Sequence, residues 1–144
     1  MISLTQYREY WQRVADRVDG VTGVLPVTVD KAMGDKIKAL PKDSVTIFVL
    51  PPGAEGSGDV DSFAEKNMCV VFLMAKYDPQ RKTAFELLEE TQPLIEKVKR
   101  VLLDDQAAGC PIMRVDVSSL DTFPETELYS TFAGWSIGFN VKSF

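Results

Sequence analysis

The sequence contains no histidine among its 144 residues. Histidine is the commonest general base in enzymes and the commonest metal ligand, so its absence excludes Ser-His and Cys-His nucleophile pairs. The two cysteines, Cys69 and Cys110, lie far apart and do not have the spacing of a zinc site. We predict no metal site and no catalytic residue, and interpret the cysteines as two thiols, with a disulfide as the alternative.

Glycine patterns that bind phosphate are missing as well. Gly53, Gly56 and Gly58 lie among acidic residues, which repel a phosphate group. The formal charge is −5, from 21 acidic and 16 basic residues, and this balance does not favour a nucleic-acid-binding surface. The chain is therefore expected to use no cofactor, to recognise no nucleic-acid sequence and to have no small-molecule substrate.

Long hydrophobic runs and a signal peptide are also missing. The longest apolar run is about 8 residues, whereas a helix that spans a bilayer needs ~20. Residues 1–4 lead directly into a polar amphipathic segment, so we expect a cytoplasmic protein without membrane contact. With 45% apolar and 26% charged residues, the composition is that of an ordinary globular protein, and the length fits one domain over residues 1–144.

Two segments have the pattern of amphipathic helices. Ser3 and Gln6 have the spacing of a capping box at the start of the first helix. The second helix is predicted to begin at Asp78 and Pro79, and Pro93 is expected to kink or divide it because proline lacks an amide donor. The apolar face of the first helix comprises Leu4, Tyr7, Trp11, Val14 and Val18.

Four segments are predicted to be strands, because β-branched and aromatic residues dominate them or alternate with polar residues. They are Val45–Leu50, Met68–Ala75, Ile112–Ser118 and Leu128–Lys142. The second is apolar at almost every position, which is typical of a central strand covered on both faces. Residues 51–66 are predicted to form a long loop between the first two strands. Residues 21–43 are ambiguous, with a short strand and a short helix as possible elements.

The element order α-β-β-α-β-β predicts an α+β fold. We expect a single, mainly antiparallel sheet of about four strands, with the helices packed on one of its faces.

Charges of opposite sign are concentrated in two separate segments. The stretch at 31–42 is rich in lysine, and the loop at 51–66 is acidic. These segments are candidates for the two complementary sides of a contact between subunits; the alternative is that both are only solvated. The residues concerned are Lys31, Lys36, Lys38 and Lys42 on the basic side, and Glu55, Asp59 and Asp61 on the acidic side.

Three aromatic residues do not fit the apolar face of their own element. Tyr10 lies beside the apolar stripe of the first helix, and Phe132 and Phe144 lie off the apolar face of the last strand. We interpret these three as candidates for contact with another protein.

The layout of the chain resembles that of the tail-terminator and tail-completion proteins of long-tailed bacteriophages. The resemblance lies in the amphipathic N-terminal helix, strand Val45–Leu50 with its long following loop, strand Met68–Lys76, the helix from Pro79, the closing pair Ile112–Ser118 and Leu128–Lys142, and the segment Gly134–Val141 after the acidic connection Asp121–Glu127. It implies a ring-forming structural protein, typically hexameric, without cofactor or enzymatic activity. Its partners would be copies of itself, the tail tube and the head connector, in the host cytoplasm during assembly and then in the virion tail.

Two other functions remain open at this point. One is an α+β module that binds a small ligand or a partner protein, which a pocket lined by tyrosine and tryptophan would favour. The other is an enzyme that uses carboxylates, with Asp59 and Asp61 or Asp104 and Asp105 as the pair.

Overall fold

The computed structural model describes residues 1–28, 31–110, 112–126 and 131–143, with the side chains of residues 31–33 outside the description. The helices are α1 (Leu4–Arg17), α2 (Lys31–Lys38) and α3 (Ala84–Ala107). The strands are β1 (Gly23–Pro26), β2 (Val45–Val49), β3 (Gly53–Ser57), β4 (Ala64–Lys76), β5 (Val115–Glu125) and β6 (Phe132–Ser143). None of the helices in the described ranges is long and apolar enough to cross a membrane.

The strands form one sheet in the order β1-β2-β4-β6-β5, and β3 pairs with β4 outside this path. Strand β1 runs parallel to β2, whereas the other pairings are antiparallel. The predicted α+β class is confirmed. The predicted sheet of about four strands is wrong in detail, because the described sheet is mixed and has six strands.

Strand β4 is the central element of the sheet. Strand β6 pairs with it along its whole length, from Glu65 opposite Ser143 to Lys76 opposite Phe132. On the other side of β4, the hairpin partner β3 pairs with the first half and β2 with the second half. Strand β4 therefore extends beyond β2 and carries the β3–β4 hairpin at its far end.

Helices α1 and α3 pack on one face of the sheet, which we call the core face. Tyr7, Trp11, Val14 and Val18 of the predicted apolar stripe are buried there, but Leu4 is 52% exposed. The Ser3 side chain accepts a hydrogen bond from the Gln6 amide, as the capping-box spacing predicts. The strand residues of this core are Ile47, Val49, Cys69, Val71, Leu73, Ile137, Phe139 and Val141.

Helix α2 lies on the opposite face, which we call the open face. Its Ile37 side chain is buried against Phe48, Met74 and Phe132. The prediction that the helices pack on one face is therefore wrong, and so is the assignment of Phe132 to an external contact. Phe132 is indeed off the core face of its strand, but α2 covers it and leaves it 1% exposed.

Helix α3 begins at Ala84, after the Thr83 cap, rather than at Pro79. The Asp78 carboxylate instead accepts a hydrogen bond from the Gln80 amide and forms a turn before the helix. The helix passes through Pro93 without a break. Nearby, the Thr91 hydroxyl donates to the Leu87 carbonyl at 2.8 Å, so side-chain donors supplement the backbone pattern in this turn.

Strand β5 continues to Glu125, through residues that the sequence predicts to be a connection. Pro124 is compatible with this strand because β5 lies at the edge of the sheet, where no outer neighbour needs its missing amide. The register with β6 shifts between Asp116 and Asp121, which marks a bulge. Both cysteines are free thiols; burial raises the pKa of Cys69 to about 11.

Candidate interaction surface

The acidic segment at 51–66 is a β-hairpin and not the predicted loop. All five residues of β3 are exposed, and β3 pairs residue by residue with the first part of β4. Gly56 permits this conformation, because a Cβ at that position would lie 2.8 Å from the Phe63 ring. The hairpin thus presents its charges on a defined scaffold.

Asp59 organises the turn at the tip of this hairpin. Its Oδ1 atom accepts hydrogen bonds from the Ser62 hydroxyl at 2.9 Å, the Asp61 amide at 3.0 Å and the Ser62 amide at 3.1 Å. The bond from the Ser62 hydroxyl, followed by the two amide bonds, lowers the pKa of the Asp59 carboxyl below its usual value. Val60, between the two aspartates, is 98% exposed.

Of the three other acids of the hairpin, Glu65 binds the N-terminal ammonium group, and Glu55 and Asp61 differ in their partners. Glu55 lies opposite Lys66 in the strand pairing and forms an exposed ion pair with it at 3.3 Å. The exposed Asp61 carboxylate has no such partner within the part of the chain that the structure describes. Asp61 is therefore the hairpin acid with the most freedom to meet a charge on another molecule.

The lysine-rich segment forms α2 and the turn that follows it. Lys36, Lys38 and Lys42 are exposed, and no carboxylate of the described ranges pairs with them. Lys31 is the first residue of α2, and its side chain lies outside the described part of the chain. The end of α2 is held by Lys76, whose Nζ atom donates to the carbonyls of Lys38 at 2.6 Å and Leu40 at 2.8 Å.

The lysine helix and the acidic hairpin lie at opposite ends of β4. Helix α2 covers Met74, whereas the hairpin ends beyond Ala64. At about 3.3 Å per residue, these two points of the strand are about 33 Å apart. The structure therefore does not bring the predicted basic and acidic residues together within one chain.

The aromatic candidates have different outcomes. The assignment of Tyr10 to an external contact is wrong: its side chain is 3% exposed, because α3 covers it, and its hydroxyl donates to Asp105 Oδ2 at 2.8 Å. Burial, together with this bond, raises the pKa of Tyr10. Arg17 also binds Asp105, at 2.9 Å, so the three side chains join α1 to α3. Phe144 lies outside the described residues.

The open face carries a trough that the sequence pattern did not reveal. Its floor is formed by the small residues of β6, and its two walls are the neighbouring strands β4 and β5. The pattern of β4 predicts cover on both faces, but Met68 is 49% exposed and Val70 is 39% exposed. We call this surface the Gly138 trough; it comprises Gly134, Ser136 and Gly138 in the floor, Met68, Val70 and Phe72 in one wall, and Asp121, Phe123 and Glu125 in the other.

A cleft of about 330 Å³ lies between α1 and the end of α3. Tyr10, Arg13 and Arg17 line it, but neither tryptophan does: Trp11 is fully buried, and the Trp135 indole donates to the Leu88 carbonyl at 3.3 Å. Of the carboxylates considered for acid–base chemistry, Asp105 is bound to Tyr10 and Arg17, and Asp59 is engaged in its turn. Within the described ranges, no three potential ligands are grouped so as to hold a metal.

Comparison with known proteins identifies no relative: no protein-family model matches the chain, and a search of curated proteins finds no match.

Proposed function

We propose that the chain is a structural subunit of a phage or prophage tail, which assembles head to tail into a ring at the head-proximal end of the tail tube. The observation that supports this proposal most is the separation of Lys36 and Lys38, which pair with no carboxylate of the described ranges, from the acidic hairpin. A closed ring needs two different patches on each subunit, and these patches must be unable to meet within one chain.

Opposite charge gives such a contact its orientation. Lys36 and Lys38 have no carboxylate partner within the described ranges, and Asp61 at the hairpin tip has no cation. When two copies meet, charge complementarity favours the approach of helix to hairpin and disfavours helix to helix. In this proposal the ring is a hexamer that presents its two sides to the tail tube and to the head connector, first in the host cytoplasm and later in the virion.

The first experiment is the mass of the purified protein, measured by light scattering, with electron microscopy of any large species. We expect the wild-type chain to form a ring. The double variant Lys36→Glu/Lys38→Glu should raise the concentration needed for half assembly by about tenfold or more, since like charges across an interface cost several kcal/mol.

The matched control is Lys97→Glu/Arg100→Glu, which changes the formal charge equally on the exposed surface of α3. It should assemble as the wild type does. Equal loss of assembly in both double variants would assign the effect to net charge, and a wild-type chain that stays monomeric would contradict the ring.

A further inference from the structure

Gly138, in the floor of the Gly138 trough, is not required by close packing against the neighbouring strand. A Cβ at Gly138 would meet only the Cys69 carbonyl oxygen, at 3.9 Å, which is an ordinary contact. Glycine weakens the interior of a strand, and β6 is the central partner of β4 and β5. Gly138 lies beside the register shift of β5 between Asp116 and Asp121, and a glycine inside a strand accompanies either a bulge or a place where another molecule approaches closely. In both cases the missing side chain leaves open space above β6 at this position.

Each wall of the trough has apolar side chains that are exposed in the described part of the chain. On the β4 side, Val70 lies opposite Gly138. On the β5 side, Phe123 lies opposite Ser136, two residues along β6 from Gly138, and is 57% exposed. Because neighbouring strands are about 4.8 Å apart, the two walls are separated by about 10 Å. This width fits a line of side chains from another subunit lying over the glycine.

The β5 wall also carries charge of one sign. Asp121 lies directly opposite Gly138, is exposed, and has no hydrogen-bond or ionic partner within the described part of the chain. Glu125 faces the same side and accepts a hydrogen bond from the Ser136 hydroxyl at 2.8 Å. The surface therefore combines exposed apolar wall residues with acidic groups on one side, which fits an occupant with apolar stems and positive charge.

The chain itself has such a group. Exposed lysines project from α2, and a lysine side chain covers apolar surface with its stem while its ammonium group reaches a carboxylate at the edge. Helix α2 and the trough share the open face: α2 covers Phe48 of β2, Met74 of β4 and Phe132 of β6, and the trough continues from there along β6 and β5. A head-to-tail contact through this face requires α2 of one copy to lie over the trough of the next.

We propose that the Gly138 trough is the receptor on each subunit for helix α2 of a second copy, with Asp121 as the partner of Lys38. This inference rests on the proposed function and deepens it, because it places the lysine helix between the β5 wall and the acidic hairpin of its neighbour. Gly138 keeps the floor low enough for the lysine stems to lie against Val70 and Phe123.

The first test is Gly138→Val in the full chain. Valine favours a strand, so the melting temperature of the variant under monomeric conditions should equal or exceed that of the wild type. Its half-assembly concentration in sedimentation velocity should rise by about tenfold or more, because the new side chain fills the trough and accelerates dissociation. A folded variant that assembles like the wild type overturns the proposal.

The second test does not depend on that substitution. Asp121→Lys and Lys38→Glu should each weaken assembly, and their combination in one chain should restore at least part of it, since every contact then pairs the reversed charges. Asp104→Lys, on the exposed surface of α3, is the control and should have no effect. Failure of the double variant to recover overturns the Asp121–Lys38 pairing.

A ring that survives Gly138→Val and Asp121→Lys overturns this inference alone, whereas a wild-type monomer overturns the ring and this inference together.

Discussion

Two glycines of β6, Gly134 and Gly138, differ in the space that surrounds them. A Cβ at Gly134 would overlap the backbone carbonyl of Leu73 on the adjacent strand, so the pairing of β4 and β6 needs glycine there. Gly138, four residues further along the same strand, has ordinary space above it. Gly134 is therefore required by the strand pairing, whereas Gly138 leaves the floor of the trough without a side chain.

At the residue scale, we expect Gly134→Ala and Gly138→Ala to differ in the free energy of unfolding. Gly134→Ala should lower it by about 1–3 kcal/mol, since the added methyl group displaces backbone that cannot move alone. Gly138→Ala should leave it unchanged or slightly higher, because alanine restricts the unfolded chain. Chemical denaturation of both variants below the concentration of assembly checks this, and equal losses would show that both glycines are structural.

At the scale of elements, α2 is held in place more by the rest of the molecule than by itself. A helix of eight residues is too short to be stable alone in water. Ile37 provides its apolar anchor, and the Lys76 ammonium group satisfies two carbonyls at its end, where the helix dipole favours a positive charge. This arrangement keeps α2 on the open face, with Lys36 and Lys38 exposed.

We therefore predict that Lys76→Met loosens α2 selectively. Loss of the two charge-assisted hydrogen bonds should cost about 1–3 kcal/mol of local stability. In hydrogen exchange, the amides of α2 should exchange faster, while those of the central β4–β6 pair remain protected. The control is Lys66→Met, on the same strand and the same face, which removes only an exposed ion pair with Glu55. Uniform acceleration across the sheet would contradict a local role.

The elements that the sequence predicted well are those whose pattern reflects their own burial. The apolar stripe of α1 and the alternation of β6 identify the core face. In both elements, apolar residues recur at the period that places them on one side, and that side is buried. Strand β3 was missed, since Gly53, Ala54 and Gly56 have poor strand propensity and only pairing with β4 makes them a strand. The start of α3 was placed too early because Asp78 and Pro79 favour a turn as readily as a helix.

The surface residues could be predicted less well because their environment depends on distant parts of the chain. Phe132 and Tyr10 lie outside the apolar pattern of their own elements, yet α2 and α3 bury them. Met68 and Val70 belong to an apolar run, yet nothing in the described part of the chain covers them as it covers Met74. The lysine-rich and acidic segments were recognised from composition, but their separation along β4 is a property of the folded sheet.

At the scale of the whole molecule, the proposed assembly should weaken as salt concentration rises. The charges concerned, on α2, the β5 wall and the hairpin, are exposed, so mobile ions screen them: the screening length falls from about 10 Å at 0.1 M to about 3 Å at 1 M. Sulfate also strengthens the burial of apolar surface, so it should favour contact with the apolar wall residues of the trough. We expect sodium chloride to raise the half-assembly concentration, and ammonium sulfate at equal ionic strength to raise it less. Sedimentation velocity across both salt series measures this. In the variant Lys36→Glu/Lys38→Glu the dependence on sodium chloride should be reversed, because salt then screens a repulsion. An assembly that is insensitive to sodium chloride would contradict charge pairing. One that responds equally to both salts would contradict burial of the apolar wall residues, since screening alone does not distinguish the anions.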